Sequence, residues 1–152
     1  MGVAGLYGQS LHAEHRGEWT YDLQWKPLQG FPVRIGWLEA IRRGQRRLRA
    51  GLTIDAPVLL ACSTRTFRGN RWHEGIRLAD AVLDVEHMVR WAPRLGSHIT
   101  IARFDGGMHD LTLSGPDVRT RVFHELGRWV DAFVVVPDDE KPATDANTTQ
   151  TN

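Results

Sequence analysis

Apolar and polar positions change rhythm several times along this chain. Residues 1–36 show no period. Gly2, Gly5, Gly8, Gly17, Gly30 and Gly36, with Pro27 and Pro32, interrupt the stretch, and Tyr7, Trp19, Tyr21, Trp25 and Phe31 are scattered through it. This predicts irregular chain whose rings lie over an apolar surface, because each ring would otherwise leave a large area in water. From Trp37 the rhythm turns helical: Trp37, Ile41 and Leu48 share a face, Arg42, Arg43, Arg46, Arg47 and Arg49 fall mostly opposite, and Gly51 stands at the C-cap. The uninterrupted run Pro57-Val-Leu-Leu-Ala-Cys62 predicts a strand buried on both faces, as in a parallel sheet. The polar stretch 63–79 is too long for an ordinary connection and reads as a functional loop. Val85, Met88, Val89, Ala92 and Leu95 then repeat at helical spacing up to Gly96, and 98–104 alternates as a second strand. Strand, helix and strand in this order predict a right-handed crossover with parallel strands. Pro116 opens a last helix whose apolar face is Val118, Val122, Leu126, Trp129, Val130 and Phe133. From Pro137 onward the chain is polar and aperiodic, which predicts a disordered tail.

Composition narrows the function classes. The chain has 152 residues, 41% of them apolar, enough for one core. Nineteen Lys plus Arg against eighteen Asp plus Glu leave a net charge of +1, so no nucleic-acid partner is expected. The Arg cluster at 42–49 reads as a solvated helix face, with an anionic-surface patch as the less favoured alternative. A single cysteine, Cys62, can form neither an internal disulfide nor a cysteine-based zinc site, so a cytoplasmic setting and an inert buried thiol are expected. His12 and His15 form an H-x-x-H pair without a third ligand nearby, and no metal is expected there. No apolar run approaches the roughly 20 residues of a membrane helix. No signal peptide is predicted, and Leu6 occupies the position where a myristoylation pattern needs Ser or Thr.

Candidate chemistry lies just past the two predicted strands, where open parallel sheets collect ligands and catalytic groups. The first segment is Leu78-Ala-Asp80-Ala-Val-Leu-Asp84; the second is Gly107-Met-His109-Asp110. Gly106 and Gly107 themselves read as a tight turn needing positive φ. An acid that hydrogen-bonds one imidazole nitrogen fixes the tautomer and stabilises the imidazolium, leaving the other nitrogen to handle protons. Asp80 and His109, 29 positions apart, are the candidate pair.

Pro57-Val-Leu-Leu-Ala, Ala79-Asp-Ala-Val-Leu-Asp, Gly106-Gly-Met-His-Asp-Leu and the closing Arg128-Trp129-Val together resemble the C-terminal half of an α/β-hydrolase. The nearest group is the serine hydrolases similar to lysophospholipases and monoacylglycerol lipases, also called serine aminopeptidase-like. The resemblance covers roughly residues 55–135. It implies an α/β class with a partial hydrolase fold: a lid- or cap-like segment over 1–54, a core over 55–136, and the tail 137–152. It further implies hydrolysis of a small-molecule ester or lipid acyl substrate without a cofactor, with His109 as base and Asp80 as acid, Asp84 being the second choice. One element of the family is absent from the sequence: the G-x-S-x-G elbow that carries the nucleophile and part of the oxyanion hole. Ser10, in Gly8-Gln-Ser10-Leu-His12, comes nearest but has His in place of the last Gly; Ser63, Ser97 and Ser114 lack both flanking glycines. The expectation is therefore a fragment without a nucleophile and inactive alone, the alternative being a non-catalytic truncated product. Two strands with open edges are expected to self-associate or to pair with a missing N-terminal half.

Overall fold

A computed structural model of the chain describes residues 3–134. The fold is mixed α/β: helix α1 (Val3–Leu11), helix α2 (Ile35–Ala50), strand β1 (Val58–Ser63), helix α3 (Val85–Trp91), strand β2 (Ile99–Phe104) and helix α4 (Pro116–Phe133). Three short 3₁₀ turns lie at Glu74–Leu78, Ala92–Arg94 and Leu111–Leu113. β1 and β2 pair in parallel, from Val58 opposite Ile99 to Ser63 opposite Phe104, as the strand–helix–strand order requires. The predicted tail lies outside the described residues.

The sheet carries its core on the α4 side. Phe104, Leu111, Val118 and Val122 form one buried cluster, with Ala61 and Ala102 packed against it. Each such side chain contributes roughly 1.5–3 kcal/mol when fully buried. The Trp129 indole N–H donates to the Thr100 hydroxyl at 3.1 Å, tying the C-terminal part of α4 to β2. Pro116 sits in the first turn of α4, where its missing N–H costs nothing. Val118 and Val122 of the predicted apolar face are buried, whereas Leu126 and Phe133 remain exposed.

Four sequence expectations are corrected. First, 1–36 is not irregular throughout, because α1 forms and buries Leu6, Tyr7 and Leu11. Its Gly8 is required by packing: a Cβ there would lie 2.5 Å from the Leu28 carbonyl oxygen. Second, β1 is half-buried from Val58 to Ala61 and fully buried only at Cys62 and Ser63, since among the described residues only β2 pairs with it. Third, the helix before Gly96 stops at Trp91 and tightens into a 3₁₀ turn around Pro93. Gly96 is not a left-handed cap; a Cβ there would lie 2.3 Å from the Ile54 carbonyl oxygen, across an isolated parallel bridge. Fourth, the predicted turn at 106–107 needs positive φ only at Gly106, at 75°. Gly107 is small because a Cβ would meet Leu111 at 2.6 Å.

α2 forms where its periodicity places it and ends at Gly51, with φ 103°, yet buries no residue. Trp37 is 56% and Ile35 87% exposed. The helix is held at its C-terminal end, where the Arg49 guanidinium lies 5.5 Å from the Trp91 ring centre and Leu52 N–H donates to Arg94 O at 2.7 Å. No helix among the described residues is long and apolar enough to cross a membrane.

Candidate functional site

Asp80 stands beyond the carboxyl end of β1 because the returning chain makes one further parallel bridge, Thr66 to Asp80. Its backbone N–H donates to Arg65 O at 2.8 Å and its carbonyl accepts Phe67 N–H at 2.7 Å. The side chain is 3% exposed, and Oδ1 accepts the N–H groups of Val82 and Leu83, each at 2.8 Å. A buried carboxylate needs such donors to remain charged.

His109 projects from the β2–α4 loop. Positive φ at Gly106 turns the chain, and Met108 N–H donates to the buried Ser114 hydroxyl at 2.9 Å, closing the base of the loop. The imidazole Nδ1 lies 3.1 Å from both Asp80 carboxylate oxygens. Nδ1 therefore carries the proton in the neutral as well as the charged ring, and Nε2 is the site that gains or loses one. Nε2 has no hydrogen-bond partner among the described residues. The hydrogen bond that Nδ1–H donates to Asp80 raises the His109 pKa above its ordinary value; burial and the Lys26 charge oppose this, and the Asp80 and Asp110 charges reinforce it. For Asp80, burial pushes the pKa up, but hydrogen bonds from His109, Leu83 and Val82 outweigh it, and the carboxyl sits below its usual range.

Asp84 is not brought to the ring. It caps α3, accepting the N–H groups of Glu86 and His87, and pairs with Arg68 at 2.7 Å. Those bonds, that from His87 first, lower its pKa. The serines are engaged elsewhere. Ser10 is buried and donates to Tyr7 O at 2.7 Å within α1; Ser63 accepts Arg65 N–H at 3.3 Å; Ser97 is exposed on the turn before β2. His12 is a structural residue: its Nδ1 accepts Glu14 N–H, so Nε2–H donates to Tyr21 O, each at 3.2 Å. The Cys62 thiol is buried, which pushes its pKa up and keeps it unreactive.

His109 stands between two clefts. One, of about 440 Å³, is lined by Tyr7, Leu28, Phe31, Ala81 and Val82, with Lys26 and Asp110 at the same wall. The other, of about 280 Å³, opens beside β1 between Leu59, Ala61, Phe104 and Leu126. Sequence reasoning missed the α1 side of the first cleft. The Tyr7 ring meets the His109 ring edge-on, with centroids 5.6 Å apart at 84°, and the Tyr7 hydroxyl donates to Asp110 Oδ2 at 2.6 Å. That contact joins positions 103 apart, and no local pattern announces it. The arrangement can hold a polarised imidazole against a small, mainly apolar group and move a proton at Nε2. Compared with protein-family models, curated proteins and solved structures, the chain matches none of them.

Proposed function

We propose that this chain supplies the acid–base half of a serine-hydrolase-type acyl-transfer site on a partial α/β-hydrolase fold. The observation that carries the reading is the Asp80–His109 pair. A buried carboxylate, held by two backbone N–H groups, grips Nδ1 and leaves Nε2 unpartnered at two clefts. Asp80 orients the ring and stabilises the imidazolium; His109 takes a hydroxyl proton at Nε2 and returns it to the leaving group. The acyl substrate is a small-molecule ester or a lipid. The nucleophile and the oxyanion donors come from polypeptide outside residues 1–152, so the chain alone does not turn over substrate.

The test is to co-express the chain with the polypeptide encoded directly upstream of it and expose the pair to a fluorophosphonate. The reading predicts a labelled serine on the upstream polypeptide with wild-type chain and none with His109→Ala. Labelling indifferent to His109, or no labelling at all, overturns it.

One observation favours a second reading, an anionic-surface module. α2 buries none of its residues, and Arg42, Arg43, Arg46 and Arg47 are all exposed on it. That reading predicts binding to acidic vesicles that weakens steeply with salt and disappears when the four arginines are replaced.

A further inference from the structure

Four titratable groups face the His109 ring: Asp80, Asp110, Lys26 and Tyr7. Two of them are carboxylates, and they are treated differently. Asp80 is buried and bonded to Nδ1; Asp110, next in sequence to His109 and 45% exposed at its side chain, is bonded away from the ring. Its Oδ2 accepts the Tyr7 hydroxyl at 2.6 Å and lies 3.7 Å from Lys26 Nζ. The ammonium in turn sits 5.7 Å from the ring centres of both Tyr7 and Tyr21, where the π faces help to hold it. Both donors arrive from the N-terminal segment, Tyr7 on α1 and Lys26 on the chain that follows it. The Tyr7 ring also closes one side of the imidazole.

We propose that Tyr7 and Lys26 are positioning residues for the base, occupying the Asp110 carboxylate so that Asp80 alone partners the His109 ring. The chemical need is direct. An imidazole between two uncompensated carboxylates stays protonated to higher pH, and an imidazolium cannot accept a proton at Nε2. A phenol and an ammonium on the second carboxylate reduce its pull on the ring without removing it. The inference rests on the reading of Asp80–His109 as the acid–base pair.

The test is an NMR titration of the His109 ring in the full chain, for wild type, Tyr7→Phe and Lys26→Met, each with and without Asp110→Asn. Asp80→Asn serves as a separate arm. Tyr7→Phe keeps the ring and removes only the hydroxyl; Lys26→Met changes an exposed side chain and decides the matter if Tyr7→Phe fails to fold. Each variant is expected to raise the His109 midpoint by about half a pH unit, partly screened as the site is half-open; in the Asp110→Asn background Tyr7→Phe loses that shift, and Lys26→Met keeps only the smaller part that comes from the ammonium's own charge on the ring. A merely structural role would lower the unfolding temperature and leave the midpoint where it was. Unmoved midpoints, or shifts of equal size with Asn at 110, overturn the proposal. The Asp80→Asn arm judges the acid–base reading on its own: if that variant leaves the midpoint unchanged, the pair fails whatever Tyr7 and Lys26 do.

Discussion

The N-terminal third of the chain contains two helices with opposite fates. α1 has nine residues and no charged residue, and it sinks Leu6, Tyr7 and Leu11 into two buried clusters with Ile76, Ala81 and Met108. α2 has sixteen residues and a clear apolar face, and it buries none of them. The weaker pattern makes the tighter contact. Helical period reports that a face exists; only residues distant in sequence decide whether something covers it. α1 is covered because Gly8 lets the backbone at Leu28 approach and because Tyr7 finds Asp110. Trp37 and Ile41 stay 56% and 40% exposed.

Substitutions that exchange the two fates should therefore differ sharply in cost. The largest effect is expected for Leu11→Ala, since Leu11 is fully buried beneath Tyr7 and Met108. It should cost about 2–5 kcal/mol in chemical denaturation, much of a small domain's stability. Gly8→Ala should follow, at about 1–3 kcal/mol, because the new methyl meets Leu28 backbone that cannot yield like a flexible side chain. The smallest effect belongs to α2: Ile41→Ser should stay within about 0.5 kcal/mol. A loss of 2 kcal/mol or more for Ile41→Ser, roughly the size of a core truncation, would show that the face is covered and would dissolve the contrast.

Between these lies a pH-dependent prediction. The folded pKa of His109 is raised, so its contribution is full below the ordinary value of 6.5 and is lost as pH rises through the folded value. The folded pKa of Asp80 is depressed, so its contribution is present above 3.8 and is lost as pH falls through the folded value. The stability gap between wild type and Asp80→Asn should therefore be widest from about pH 4 to 6.5 and narrow on both sides. A gap flat from pH 3 to 9 would mean that Asp80 and His109 form no ion pair in solution.

Much of the α/β unit was legible because its signals are local. The apolar run at Val58 to Cys62, the alternation at Ile99 to Phe104 and Pro116 at a helix start each sit within one element. The meeting of Asp80 with His109 followed from strand order, since parallel pairing of β1 and β2 sets their following loops side by side. The choice between Asp80 and Asp84 could have been sharpened. Asp84 directly precedes Val85 and Met88, the position where a carboxylate caps a helix, and it does so here. α1 was hidden by Gly5 and Gly8, which read as breakers, although Gly8 serves packing. The clamp of Tyr7 and Lys26 on Asp110 was beyond reach, because it depends on where α1 docks and not on any spacing in the chain.

That Asp80 holds the His109 ring at Nδ1 and raises the basicity of Nε2 is tested most directly by the ring titration of His109 by NMR in wild type and in Asp80→Asn. The expected result is a wild-type midpoint above 6.5, a downfield Nδ1 proton, and a fall of about one unit or more with loss of that proton signal in the variant. A wild-type midpoint at or below 6.5, unmoved by Asp80→Asn, would contradict it.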